Sequence, residues 1–261
     1  MAITPTADLR LVPLECGWLD TAANTVVSDA PGQVSLPIPS WLVIHPSGQT
    51  LLFDTGMHQA VQEGIGSRYP SMARMFTARY QAGEEVSARL ESVDVDPAAI
   101  DKIVYSHLHF DHCGGTGLVP NAQIVVQQAE WEAGHIPKLI EHDVYKPDDF
   151  DLGHDVLQIN GEHDVFGDGS VVCIPTPGHT AGHQSLRVNL GSGPVVLTGD
   201  CVYWEDVLEG MLLPPFGFSH EQQLESMRRL RSLRDDDGCT LLYGHDAGQW
   251  STLPHDGGGL T

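Results

Sequence analysis

Basic side chains and long apolar runs are both scarce in this chain of 261 residues. Thirteen Lys and Arg stand against 35 Asp and Glu, which gives a formal net charge of −22. So acidic a surface repels phosphate backbones and anionic lipids, and we expect neither nucleic acid nor a membrane as partner. No apolar run approaches the roughly 18 residues of a membrane-spanning helix. The first residues lack the basic start and apolar stretch of a secretory signal, so we expect a cytoplasmic protein.

Cysteine pairs and the usual serine-nucleophile motif are also missing. The five cysteines are odd in number and form no C-x-x-C pair: Cys16, Cys113, Cys173, Cys201 and Cys239. Several lie inside apolar runs, so we expect reduced core residues rather than a disulfide framework. The chain has no G-x-S-x-G motif, which argues against a hydrolase built on a nucleophilic serine.

A dense group of metal-binding residue types lies in the segment 106–115, which reads Ser-His-Leu-His-Phe-Asp-His-Cys-Gly-Gly. His107, His109, Asp111 and His112 form the pattern H-x-H-x-D-H. Imidazole nitrogen and carboxylate oxygen suit zinc and its divalent first-row neighbours. Two adjacent ions need about seven ligands, and six residues cannot supply them all. Further ligands must therefore come from elsewhere in the chain.

Three later segments repeat one layout, in which a short apolar run is followed by glycine and then by a candidate ligand. The three runs lead to His179, Asp200 and His245. β-rich runs that end in this way place side chains at the rim of a sheet, where several strands can converge. Each residue alone would more often be an ordinary histidine or a turn aspartate, but the repetition favours ligands.

Strand-like and helix-like segments alternate along the chain, which predicts one α/β domain with large sheets over residues 1–261. The strand-like runs lie at about 9–15, 41–45, 50–54, 102–106, 122–126, 170–175, 184–190, 194–199 and 240–243. Helices are predicted at about 84–92, 127–134 and 220–234, the last with Ser219 as its cap in an S-x-x-Q capping box.

The segment 56–83 is rich in methionine, aromatic residues and arginine. Methionines and aromatics at helical spacing are most often part of a core. The alternative is a flexible helix pair that lines an apolar substrate channel, with Met72, Met75 and Phe76 as its candidate lining.

The arrangement of these motifs resembles the metallo-β-lactamase superfamily of hydrolases, over about residues 9–248. The marks are Asp54 in Leu-Leu-Phe-Asp-Thr-Gly, the cluster at 107–112, and the three later ligands in the family's order. The resemblance implies a four-layer αββα sandwich and two divalent metal ions. One ion would be held by His107, His109 and His179, the other by Asp111, His112 and His245, with Asp200 as the bridge. We expect zinc, and cobalt, manganese or iron remain open because geometry and supply decide between them.

Tyr203 indicates which branch of this superfamily the chain resembles. The sequence Asp-x-x-Tyr at 200–203, together with the histidine motifs, is similar to the N-acyl homoserine lactonase branch, whose members open the lactone ring of bacterial signals. This implies that Tyr203 contacts the substrate carbonyl. A hydroxide bridging the two ions would attack that carbonyl, and Asp111 could pass a proton to the leaving oxygen. The structural alternative for Tyr203 is a half-buried packing aromatic.

Several expectations about the site remain alternatives. Phe110, Met72 and Phe76 are candidates for contact with a small-molecule substrate. Asp54 is expected to fix the ligand loop rather than to be a turn residue, and His183 is either buried behind the ligands or on the surface. A second function is hydrolysis of a different lactone, an ester or a phosphodiester on the same site, and a third is a non-enzymatic binding protein. We expect a monomer or a homodimer.

Overall fold

The structure is a computed structural model that describes residues 8–142, 144–255 and 257–261. Residues 1–7, which carry most of the segment on which the expectation about a secretory signal depends, lie outside that range. In the described ranges, no helix has both the length and the apolar character needed to cross a membrane.

The first sheet has seven strands in the order β4-β1-β2-β3-β5-β6-β7. Strands β4, β1, β2 and β3 pair antiparallel, and β3, β5, β6 and β7 pair parallel. Their bounds are β1 Arg10–Ala22, β2 Gln33–Ile44, β3 Thr50–Phe53, β4 Thr77–Arg79, β5 Lys102–Val104, β6 Gln123–Gln127 and β7 Val156–Ile159.

The second sheet has five strands in the order β12-β11-β10-β9-β8. Their bounds are β8 His163–Asp164, β9 Val171–Pro175, β10 Gln184–Leu190, β11 Gly193–Leu197 and β12 Thr240–Leu242. Only β11 and β12 pair parallel in this sheet, with Leu197 opposite Leu242. Because parallel strands end at the same edge, the segments that follow β11 and β12 emerge side by side.

The helices have four to seven residues each, apart from the sixteen-residue α8. They are α1 Ala23–Val26, α2 Val86–Glu91, α3 Phe110–Cys113, α4 Gln128–Gly134, α5 Pro137–Glu141, α6 Pro147–Phe150, α7 Glu205–Gly210, α8 His220–Asp235 and α9 Ala247–Trp250. In the part of the chain that the structure describes, six 3₁₀ turns lie at Gln59–Glu63, Ile65–Ser67, Met72–Arg74, Pro97–Ala99, Thr116–Leu118 and Gly199–Cys201. The predicted cap of α8 is confirmed, since the Ser219 hydroxyl accepts from the backbone N–H of Gln222 at 3.3 Å.

The strands alternate between two apolar cores. In β11, Val195 and Leu197 face the core between the sheets, whereas Val196 lies in the outer core that also contains Met227 and Leu230 of α8. This alternation is the period of two that a strand with both faces buried requires. Helices cover both outer faces, as α2 contacts β1, α4 contacts β6 and α8 contacts β12. The predicted four-layer αββα sandwich is therefore confirmed.

Three features differ from the sequence-based expectation. Strands β1 and β2 are much longer than predicted. In β2, Pro37 and Pro39 weaken the strand signal, and in β1 a register shift between Glu15 and Trp18 interrupts the pattern. The short strands β4, β7 and β8 were not predicted. The segment 56–83 contains 3₁₀ turns and β4 rather than a helix pair, and it buries Met57, Tyr69 and Tyr80 in the core.

Candidate metal centre

The predicted ligands lie on four segments that leave the sheets at one edge. Strand β5 leads into the segment 106–112, where α3 turns Asp111 and His112 back toward His107. Strand β9 leads to His179, and the neighbouring strands β11 and β12 lead to the last two ligands.

The structure brings all seven predicted ligands together. They form three overlapping groups, and within each group the ligand atoms lie within 4.8 Å of one another. The groups are His107, His109 and His179; His107, His112 and Asp200; and Asp111, His112 and His245. The first and third groups match the two ligand sets that the resemblance implies.

The carboxylate of Asp200 lies between the two sets. Its Oδ1 is 3.2 Å from His112 Nε2 and 3.0 Å from His245 Nε2. Its Oδ2 is 3.4 Å from His179 Nε2 and 3.9 Å from His107 Nε2. Each oxygen therefore faces a different set, which is the arrangement expected of a bridging carboxylate.

Two polar atoms of the centre support the fit of a metal ion. His112 Nε2 and Asp200 Oδ1 are buried and lie 3.2 Å apart, but among the described residues neither makes a hydrogen bond of acceptable geometry. A buried polar atom without a partner is costly, by about 1–3 kcal/mol. A divalent cation would satisfy both atoms at once, and the nitrogen and oxygen donors suit zinc and its neighbours.

The protonation of the histidines follows from burial and from the nearby carboxylates. Burial holds the pKa of His107 and His179 well below the ordinary value, so their nitrogens are free to bind a cation. Burial also opposes a charge on His112, but the carboxylates of Asp200 and Asp111 outweigh it and raise the pKa of His112 well above the ordinary value. Binding of a metal ion at His112 would therefore displace a proton.

The outer nitrogens of two ligand histidines are fixed by hydrogen bonds. His112 Nδ1 donates a hydrogen bond to Asp54 Oδ2 at 2.8 Å. The lone pair of Nε2 is then the one that can bind a metal ion at the centre. Asp54 is itself held by the N–H and hydroxyl of Ser106, both at 2.7 Å. His245 Nδ1 donates to the carbonyl of Pro37 at 2.8 Å. Asp54 thus makes the contact expected of a residue that fixes the ligand loop.

His183 lies behind the ligands rather than on the surface. It is fully buried, its ring is 5.3 Å from that of His107, and its Nδ1 is 2.9 Å from the Thr176 hydroxyl. Burial lowers the pKa of His183 to about 4, so the ring is neutral at physiological pH. Of the two alternatives for His183, the structure supports the buried position.

Glu130 of α4 is a site residue that the sequence did not reveal. The side chain is fully buried, and its Oε1 accepts from the N–H of Leu108 at 3.0 Å and from the hydroxyl of Tyr145 at 2.9 Å. Its Oε2 accepts from the N–H of Gly182 at 2.9 Å. Glu130 therefore joins the segment of the H-x-H-x-D-H motif to the segment that carries His179. No local spacing marks it, since its partners are distant backbone groups.

Tyr203 lies beside both ligand sets. Its hydroxyl is 3.4 Å from His179 Nδ1, and its ring centroid is 5.7 Å from that of His245. Burial, reinforced by the charge of Asp200, raises the pKa of Tyr203 well above its ordinary value. The phenol therefore stays protonated and is a hydrogen-bond donor at neutral pH.

The apolar candidates form a cluster next to α3. Phe110 is buried, and its ring lies 5.0 Å from Tyr69 and 6.2 Å from Phe76. Met72 and Phe76 are half-buried and Met75 is exposed. A cavity of about 380 Å³ opens elsewhere, beside His245. Its walls are Val34, Ser35, Leu36, Trp204, Glu205, Asp206, Asp246, Ala247 and Gly248, so the apolar cluster does not line it.

Comparison with known proteins identifies the superfamily of this chain. Residues 35–245 match the sequence model of the metallo-β-lactamase superfamily, and the chain belongs to that superfamily. The fold and the ligand pattern had both indicated this assignment.

Within the superfamily, the chain is similar to N-acyl homoserine lactonases. It is 32% identical to N-acyl homoserine lactonase AttM of Rhizobium johnstonii, over 94% of this chain and 96% of that protein. It is 30% identical to N-acyl homoserine lactonase AiiA of Bacillus thuringiensis subsp. kurstaki, over 92% and 94% of the two chains. A solved N-acyl homoserine lactone hydrolase, with N-hexanoyl-L-homoserine at its catalytic metal centre, superposes with a TM-score of 0.83. That structure is 27% identical and covers 97% of this chain and 98% of its own.

Replacement of Glu130 tests whether it holds the two ligand segments together. In Glu130→Gln, the amide NH₂ must face one of the backbone N–H groups that the carboxylate accepts from. We expect about 1–3 kcal/mol less stability in urea unfolding of the metal-free protein, and faster metal loss to a chelator. Glu132→Gln, at an exposed position of the same helix, is the matched control. Equal stability and metal retention in the two variants would show that Glu130 does not hold the centre.

Proposed function

We propose that this chain opens the lactone ring of N-acyl homoserine lactones on a dinuclear metal centre. The observation that carries the proposal is the Asp200 carboxylate, whose two oxygens face two separate histidine sets. The similarity to named lactonases over more than nine-tenths of the chain supports the substrate class.

The seven clustered side chains would hold the two ions. His107, His109 and His179 would hold one ion, Asp111, His112 and His245 would hold the other, and Asp200 would contact both. We propose zinc, because the donors are imidazole and carboxylate, although the same donors accept cobalt, manganese or iron. Two such ions lower the pKa of a shared water toward neutrality and polarise a carbonyl group.

Two side chains of the protein complete the chemistry. Tyr203 keeps its proton and, from its place beside His179, would donate a hydrogen bond to the oxygen of the lactone carbonyl as charge develops there. Asp111 has Oδ2 at 3.6 Å from His112 Nε2, at the second ligand set. We propose that Asp111 would bind an ion, accept the proton released from the attacking water, and pass it to the ring oxygen as the bond between that oxygen and the carbonyl carbon breaks.

The second candidate function is hydrolysis of another lactone, an ester or a phosphodiester. The cavity beside His245 bears on this choice, because Glu205, Asp206 and Asp246 lie in its wall. Three carboxylates disfavour an anionic phosphodiester and leave a neutral lactone unaffected. Phe110, Met72 and Phe76 remain our proposed contacts for an apolar acyl chain. The five free, buried cysteines fit the reducing cytoplasm that we propose as the location.

We expect two metal equivalents per chain after reconstitution and gel filtration, measured by elemental analysis. His112→Ala removes a ligand of the second set and should lower the content toward one equivalent. His135→Ala, at an exposed histidine outside the site, is the matched control and should keep two. A wild-type content of one equivalent or less would refute the dinuclear proposal.

Tyr203→Phe should lower kcat by about a hundredfold, the usual effect of losing one hydrogen-bond donor to a developing oxyanion. The ring and its packing remain, so the metal content should not change. Tyr80→Phe removes a buried hydroxyl that donates to the carbonyl of Met57, and it serves as the control. If Tyr203→Phe keeps the wild-type kcat with both ions bound, Tyr203 is a packing residue.

A pH-drop assay over a panel of substrates tests the substrate class. We expect ring opening of N-acyl homoserine lactones with butanoyl to decanoyl chains, because the reacting carbonyl is common to all of them. Phosphodiesters should react far more slowly. Activity on phosphodiesters or aryl esters without any on these lactones would favour the second candidate function.

A further inference from the structure

One exposed aromatic side chain lies against the candidate metal centre. Phe216 belongs to the segment between α7 and α8, and its ring centroid is 5.8 Å from that of His179, with the planes at 66°. The side chain is 40% exposed, whereas Tyr203, on the same histidine, is 3% exposed. Of the described rings that contact His179, Phe216 is therefore the one that offers apolar surface to a bound molecule.

The backbone next to Phe216 is tied directly to the ligand segment. The N–H of Phe218 donates to the carbonyl of His179 at 3.1 Å, and the N–H of Ser219 donates to that of Gly178 at 2.9 Å. The carbonyl of Phe216 accepts from His220 Nε2 at 3.2 Å. These bonds hold the backbone of this segment beside His179.

Gly178 allows this close approach. Its φ is +137°, and a Cβ atom at that position would lie 2.2 Å from the backbone nitrogen of Gln223 in α8. The start of α8, and with it the Phe216 segment, can therefore pack directly onto the chain that carries His179.

An exposed apolar ring beside a reaction centre is unfavourable in water and becomes favourable when a bound molecule covers it. Apolar surface left in water forgoes the free energy that its burial would contribute. Ligand sites in proteins are lined by apolar side chains around a few polar groups. Under the proposed function, the lactone carbonyl would lie beside Tyr203 and His179. The acyl chain attached to the lactone ring would then extend past the neighbouring ring of Phe216.

We propose that Phe216 contacts the acyl chain of the bound lactone and sets the preference for chain length. This assignment rests on the proposed function. The competing explanation is that Phe216 only shields or steadies His179, in which case its removal would affect every substrate equally.

The test compares Phe216→Ala with Phe218→Ala, measuring kcat/KM on butanoyl and decanoyl homoserine lactone together with metal content. Phe218 is the matched control, since it is a phenylalanine of the same segment, is 62% exposed, and has no ring contact among the described residues. Loss of an apolar contact costs about tenfold or more in kcat/KM. We expect Phe216→Ala to lose about tenfold on the decanoyl substrate, mostly in KM, and under threefold on the butanoyl substrate. Phe218→Ala should stay near wild type, and Phe216→Leu should recover most of the loss.

Several outcomes would overturn the assignment. Equal losses on both substrates, or a loss of bound metal, would make Phe216 a support for His179. The same length-dependent loss in Phe218→Ala would mean that the segment as a whole, not Phe216, has been disturbed. A wild-type enzyme that opens neither lactone refutes the proposed function as well, whereas failure of the Phe216 effect in an active wild type refutes this assignment alone.

Discussion

The arrangement of the site depends on one buried carboxylate, that of Asp200, placed between two pairs of imidazoles. An isolated charge is costly to bury, and it is tolerated when cations or hydrogen bonds surround it. In the metal-free protein this compensation comes from the imidazoles. Burial opposes the charge, yet His112 and His245 hold the pKa of Asp200 well below its ordinary value. Two bound cations would give the same compensation more strongly.

The two sheets fix the position of the Asp200 carboxylate relative to the imidazoles around it. Strands β11 and β12 run parallel, so Asp200 and His245 leave the second sheet at one edge, facing the segment that follows β5 of the first sheet. Asp54 and the carbonyl of Pro37 orient His112 and His245 from behind. Glu130 ties two ligand segments together through backbone N–H groups. The ligand nitrogens are thus aimed at the centre by residues that need not touch a metal ion.

Local patterns predicted the side chains that cluster at the centre and one of their supports, Asp54, but not the supports that act through distant backbone groups. The H-x-H-x-D-H motif and the three later segments are continuous in sequence, so the seven candidate ligands that the structure brings together are predictable from local patterns. Glu130 and Phe216 act through partners far away in the chain, and neither has a local signature. The length of β2 was underestimated because Pro37 and Pro39 weaken its strand signal, and that of β1 because a register shift between Glu15 and Trp18 interrupts its pattern. The segment 56–83 was correctly expected to contribute to the core, but its 3₁₀ turns do not follow from composition.

The measurement that tests the account most directly is anomalous diffraction from crystals of the metal-loaded protein. If Asp200 bridges two metal ions, we expect two peaks about 3.5–4 Å apart, the separation typical of two-metal sites. One oxygen of Asp200 should approach each peak, and the two histidine sets should divide between them. A single peak would contradict the bridging role of Asp200, and so would two peaks that share no Asp200 contact.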